Sequence, residues 1–344
     1  MNLEKRNINT RDNTIDVMKG TLTVLMIIAH IIQLIIIIGD NSILNYISIY
    51  VNLTTFSGFL FCNGYVFYMA YLRKSKTAVK QKLIVGIKKM LIAFYISGFS
   101  YMFFFGGKFS IKEIVKILTL TYAPGYSEFL LSFAVVYIIL LLFFNQINMC
   151  INNKKIFIGA SIFSLISTFL SGFNIKLPLI GSVIGTTYYC AFPVMAYFSY
   201  FLAGAYLSKN KVIFSKKIFL VCLIGTTSFL GYFMLNRNLP SRFPVSLLWV
   251  VGGYIFVYTY FIFFKKIKSK ISLRLLKYIG ENTLIALVVS NIVIFSVHYI
   301  DSKNIIISQT NAYTLGIIVF AVIVLAIIVY VKLLNKIKNN IILK

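Results

Sequence analysis

The sequence predicts an all-α membrane protein of about ten transmembrane helices with both termini cytoplasmic. Three observations carry that expectation: an apolar excess, apolar runs of spanning length, and basic residues that alternate between the two sides of those runs. The 344 residues are 59% hydrophobic and 12% charged, with mean hydropathy +0.88, against about 25% charged in an ordinary soluble domain. A soluble fold has no interior large enough for that much apolar surface. Runs of roughly 20 apolar residues, each able to cross about 30 Å of hydrocarbon, recur over the whole length. Residues 1–344 therefore read as one integral-membrane domain in a multi-pass protein of the cell membrane.

A polar N-terminal stretch precedes the first span, expected at 17–38, and no small-residue cleavage pattern follows it, so this is a retained helix rather than a removed signal peptide. Charged and turn-rich breaks place the following spans at 47–71, 83–105, 127–145, 156–173, 186–207, 218–235, 245–264, 279–300 and 312–333. Between the third and fourth, Ile111–Leu120 is amphipathic and either lies in the interface or re-enters the membrane. Assigning alternate loops to opposite sides puts 27 of the 34 Lys and Arg with the two termini and 7 on the other side. That is the positive-inside pattern of an even number of spans with cytoplasmic ends.

The net charge of +26 invites a nucleic-acid reading, but the basic residues sit between apolar spans and no compact polar region carries them. Membrane lipids, and no nucleic acid, are the expected surroundings. Cys62, Cys150, Cys190 and Cys222 lie far apart without metal-ligand spacing, and read as small apolar fillers. No internal repeat or matched pair of Gly/Pro-interrupted helices is visible, which disfavours an inverted-repeat transporter.

With only eight acids and two histidines in the chain, each ionisable group inside a span stands out, because it costs about 2.5 kcal/mol or more in hydrocarbon. The candidates are Asp16, Lys19, His30, Glu128, Glu281 and His298. Lys19 and His30 are eleven positions apart, so at about 100° per residue they share one helix face, with the imidazole roughly 16 Å deeper. Asp16 sits one turn below Lys19, where an acid also suits a helix start. A cation at the cytoplasmic mouth and an imidazole in the membrane fit a substrate anionic at one end and reactive at the other. The alternative stays open that Lys19 snorkels and His30 donates to a neighbouring helix.

The run Asn13-Thr-Ile-Asp16-Val-Met-Lys19-Gly20, with His30 ten intervening residues after the lysine, resembles the start of the acyltransferase-3 family. Phe59-Leu60-Phe61-Cys62-Asn63-Gly64-Tyr65 is similar to that family's second-helix motif, with Asn63 in place of serine. Tyr200-Phe201-Leu202-Ala203-Gly204, Ser241-Arg242-Phe243-Pro244 and Gly280-Glu281-Asn282-Thr283-Leu284 resemble its later motifs. Two departures stand out: Ser290-Asn291 occupies the place where many relatives carry a late histidine, and Lys88 and Lys89 stand where arginine is common.

The resemblance implies transfer of an acyl group, usually acetyl, from a cytoplasmic acyl-CoA co-substrate to a hydroxyl of a cell-surface or lipid-linked glycan, with no permanently bound cofactor and no metal. It fits His30 as the base, Lys19 with Lys88 or Lys89 as the seat of the CoA phosphates, and Asp16 as a residue that either orients Lys19 or forms part of the mouth. Asn63, Glu128 and Arg242 are candidate substrate contacts. For Glu128 a water-facing interfacial position is the competing reading, and for Arg242 a structural turn before Pro244. Glu281, just inside the ninth span, is expected to pair with Lys277, and His298 lies near a span end. Two further functions stay open, a polysaccharide exporter and a catalytically inactive partner in glycan assembly.

Overall fold

The computed structural model describes residues 12–36, 43–105, 110–267, 273–304 and 309–342. Lys5, Arg6, Arg11, Lys108, Lys268, Lys270 and Lys344, which enter the charge alternation, lie outside them. Regular structure among the described residues is entirely helical. In chain order the α-helices are α1 (Asn13–Ile31), α2 (Ile43–Phe67), α3 (Lys76–Phe104), α4 (Ile111–Leu118), α5 (Glu128–Leu142), α6 (Phe144–Asn152), α7 (Lys154–Ile166), α8 (Pro178–Ile184), α9 (Val194–Asn210), α10 (Lys216–Asn236), α11 (Leu247–Gly252), α12 (Tyr254–Ile267), α13 (Arg274–Glu281), α14 (Thr283–Asn304) and α15 (Gln309–Ile342).

Starts follow cap chemistry. Asp12 Oδ1 accepts from Thr14 N–H at 3.0 Å to open α1, and Ser75, Ser110, Ser215 and Ser246 accept from the first turns of α3, α4, α10 and α11. Asp12 also takes a hydrogen bond from Lys265 at the end of α12. Burial acts to raise the Asp12 carboxyl, but Lys265 and the Thr14 N–H outweigh it and hold the group below its ordinary range.

Among the described residues, eight helical stretches are long and apolar enough to cross a membrane, nine if α5 and α6, bent by 82°, form one broken span. The expectation of ten differs at identifiable places. Over 186–207, residues 185–192 are not helical, Gly185 takes φ +95° and Pro193 caps a helix that starts only at Val194, leaving the 17-residue α9. Span 127–145 turns at Phe143 into α6. The ninth span begins at Thr283, because the chain breaks at Asn282 between α13 and α14, and Glu281 ends α13 outside the span. At eight residues α4 is too short to cross about 30 Å.

Two close crossings hold the centre. Gly64 of α2 lies against the Phe201 carbonyl of α9, and Gly204 of α9 against the Phe61 carbonyl of α2. Gly20 of α1 meets the Leu276 carbonyl of α13, and Gly280 meets the Asp16 carbonyl. A Cβ at any of the four would collide with backbone, so small residues let these helices touch where lipid supplies no hydrophobic drive. The outward faces of α10 and α15 are apolar, with Val221, Leu235, Ile317 and Leu325 exposed, as hydrocarbon-facing helices require.

Candidate functional site

Three adjoining cavities run along α1 and α3. In the middle one, of about 300 Å³, Lys19 faces Asn63 and Cys62 of α2 and Glu281 of α13. The Asp16 carboxylate, 3% exposed, meets Lys19 Nζ at 2.8 Å from the preceding turn. Further along α1, His30 lines a cavity of about 270 Å³. Phe129 and Leu130 of α5 and Leu287 of α14 line both, so the two chambers stand back to back across three apolar side chains. Beyond Lys19, a cavity of about 330 Å³ carries Lys82, Lys89, Gln81 and Tyr71, and shares Met90 and Tyr137 with the Lys19 chamber.

The His30 chamber gathers an imidazole, a carboxylate, a guanidinium and three side-chain amides, those of Gln33, Asn52 and Asn291. The 119–127 connection turns through Tyr126, at φ +61°, a conformation uncommon outside glycine. That turn sets the Tyr126 ring edge-on to His30 at 5.0 Å and starts α5 with Glu128 facing the chamber. Arg242 enters from the 237–246 connection, its guanidinium over the rings of Phe243 at 4.6 Å and Phe192 at 5.5 Å. Burial draws the Arg242 pKa down, with Tyr197 and Glu128 opposing; a guanidinium remains a cation nonetheless. Gln33 of the turn that prolongs α1 donates to Ser48 Oγ at 2.8 Å, and Asn52 Nδ2 reaches the same oxygen at 3.5 Å. Buried without a hydrogen-bond partner are His30 Nδ1, Glu128 Oε2, Arg242 Nε and Asn291 Oδ1, all from residues of this chamber.

The residues singled out from the sequence thus divide. His30, Glu128 and Arg242 meet in one chamber, Lys19 and Asn63 line the next, and Lys89 lines the third. Asp16 stands behind Lys19. Lys88 is exposed and belongs to none of the three linings. Glu281 lies 4.0 Å from Lys277 while lining the Lys19 chamber. His298 is elsewhere: its Nδ1 is 2.7 Å from the Leu34 carbonyl and its ring stacks on Phe105 at 4.3 Å, a structural contact that pins the end of α1 to α14. Cys190, read as a filler, is exposed on the non-helical segment and lines the His30 chamber.

Sequence reasoning missed Gln33, Asn52, Thr55 and Lys82, and noted Asn291 only as a departure from the family motif; all five line a chamber. Gln33 carried a signal, sitting one turn beyond His30. Lys82 carried another, two helical turns before Lys89 on one face of α3. Asn52 and Thr55 sit in an apolar run whose orientation only the packing of α2 fixes.

The chain matches the acyltransferase-3 family model, described as an acyltransferase domain, over residues 12–331. No curated protein and no solved structure matches it. A family match from the N-cap of α1 into the last span, on a bundle of helices long enough to cross a membrane, identifies the chain as a member of the acyltransferase-3 family and a multi-pass membrane acyltransferase.

Proposed function

We propose that the protein transfers an acetyl or similarly small acyl group from cytoplasmic acyl-CoA to a hydroxyl of a cell-surface or lipid-linked glycan. One observation carries this reading: three chambers adjoin in sequence, with lysines 82 and 89 in the first, Lys19 in the second, and His30 with Glu128 and Arg242 in the third. Such an order suits an extended donor whose phosphates sit among ammonium groups while its thioester reaches an imidazole. The charge alternation supports cytoplasmic termini, which is the orientation this reading needs for acyl-CoA to reach the lysine end.

In the His30 chamber the chemistry divides into acceptance and donation. Glu128 offers an unpartnered oxygen and Arg242 an unpartnered N–H, the complement of a sugar hydroxyl, and the Phe192, Phe243 and Tyr126 rings offer apolar faces to a pyranose. The His30 imidazole takes the proton of the acceptor hydroxyl as its oxygen bonds to the thioester carbonyl carbon. The carbon–sulfur bond then breaks, and the imidazolium returns the proton to the departing CoA sulfur. Phe129, Leu130 and Leu287, which line both chambers, suit the uncharged pantetheine arm of a donor laid across them, whereas export of a saccharide needs a continuous polar path.

Incubating the purified protein in lipid nanodiscs with labelled acetyl-CoA and glycan acceptor tests the reading. It predicts labelled glycan and stoichiometric free CoA. Glycan crossing a proteoliposome membrane without CoA consumption would instead establish an exporter.

A further inference from the structure

Asn291 lies in the middle of α14 and is 3% exposed. Its Nδ2 faces the Ser97 hydroxyl of α3 at 2.8 Å and the Tyr126 carbonyl at 3.2 Å. A carbonyl only accepts, so the atom facing Tyr126 is the amide nitrogen, both its N–H groups are committed, and the remaining corner is the oxygen. That Oδ1 is buried without a partner, and so is His30 Nδ1 in the same chamber. The two side chains line one chamber, His30 from α1 and Asn291 from α14. One atom is an obligate acceptor, and the other becomes a donor in one of the two neutral imidazole tautomers. Buried polar atoms in folded proteins find partners, and here one chamber holds two unpartnered atoms of complementary chemistry. The neighbouring Ser290 turns back on its own helix, donating to the Leu287 carbonyl at 2.9 Å, while Asn291 keeps an unpartnered acceptor and lines the chamber.

We infer that Asn291 is a positioning residue for His30: its Oδ1 accepts a hydrogen bond from Nδ1–H, fixing the tautomer that leaves the Nε2 lone pair free to face the acceptor. The catalytic consequence rests on the acyl-transfer reading; the hydrogen bond itself does not. Ser97 and the Tyr126 turn lock the amide, and the amide locks the ring. A neutral amide orients the imidazole without holding a counter-charge beside it. The imidazolium formed when Nε2 takes the hydroxyl proton is therefore not over-stabilised, and Nε2 gives that proton to the CoA sulfur as the carbon–sulfur bond breaks. Charge and atoms balance with no further reactant.

The chain's two histidines, His30 and His298, make the tautomer readable. Nitrogen-15 spectra of histidine-labelled protein in nanodiscs, assigned with His30→Ala, should show His30 protonated at Nδ1 and bare at Nε2, and Asn291→Ala should lose that state. In the transfer assay Asn291→Ala should lower kcat about a hundredfold while KM for acetyl-CoA stays within about threefold. Asn291→Asp keeps an acceptor but adds a charge, so it should recover part of kcat and move the acid limb of the pH profile upward. A wild-type His30 protonated at Nε2, or an Asn291→Ala protein with unchanged tautomer, overturns the inference, including where transfer is lost through misfolding. Wild-type protein that shows Nδ1–H yet transfers nothing supports the hydrogen bond and overturns the acyl-transfer reading, so the two failures are distinct.

Discussion

Lys19 and Asp16 show how one residue's role depends on its neighbour. A lone ammonium in the Lys19 chamber is free to swing, whereas the Asp16 carboxylate at 2.8 Å fixes it from the turn below. Charge-assisted hydrogen bonds contribute about 1.5–3 kcal/mol, so Lys19→Ala should raise KM for acyl-CoA about tenfold to a hundredfold with a smaller effect on kcat. Lys19→Arg, which keeps the charge, should stay close to wild type. Steady-state kinetics over a range of acetyl-CoA concentration decides this. Glu128→Gln removes the acceptor in the His30 chamber and should raise KM for the glycan rather than for acyl-CoA. The common face of Asp16, Lys19 and His30 was legible because helical periodicity acts inside one element. Asn52, Glu128, Arg242 and Asn291 come from α2, α5, a connection and α14; no periodicity relates them, so their convergence on His30 was not.

At the scale of elements, the short motifs with glycine have a packing meaning that the letters alone did not carry. Gly64 and Gly204 are the contact points of α2 with α9, and Gly20 and Gly280 those of α1 with α13. Gly204→Ala places a methyl against the Phe61 carbonyl, and overpacking of this kind costs about 1–3 kcal/mol. The variant should lose heat stability in detergent, read by the fraction remaining monodisperse after heating. Asp12 ties the start of α1 to Lys265. Because its folded pKa lies below the ordinary value, the stabilisation is complete above about pH 4 and fades only as pH falls through the folded value. Asp12→Asn should therefore lower the melting temperature by the same amount at pH 6 and pH 8. The helical class and most spans followed from apolar run length. The departures arise where hydropathy is blind to geometry, at Pro193 ahead of α9, at Phe143 in the bent pair and at the Asn282 break.

For the whole molecule, orientation decides which substrate enters from which side. On the ten-span assignment of the sequence, the basic excess of 27 against 7 predicts that the segment bearing Lys176 and Cys190 faces away from the cytoplasm. Cys190 is exposed, while Cys62 and Cys222 are buried. A membrane-impermeant maleimide added to intact cells should label the wild type and not Cys190→Ser, and labelling only after permeabilisation would reverse the orientation. With that orientation, the proposed reaction would take acyl-CoA at the lysine-bearing chambers and the glycan at the His30 chamber. The central claim is that His30 is where donor and acceptor meet. The most direct measurement is labelled acetyl transfer from acetyl-CoA to glycan by wild type and His30→Ala protein, matched for membrane insertion and melting temperature. The account predicts loss of at least about a hundredfold in rate with donor binding retained, and transfer at the wild-type rate by His30→Ala would contradict it.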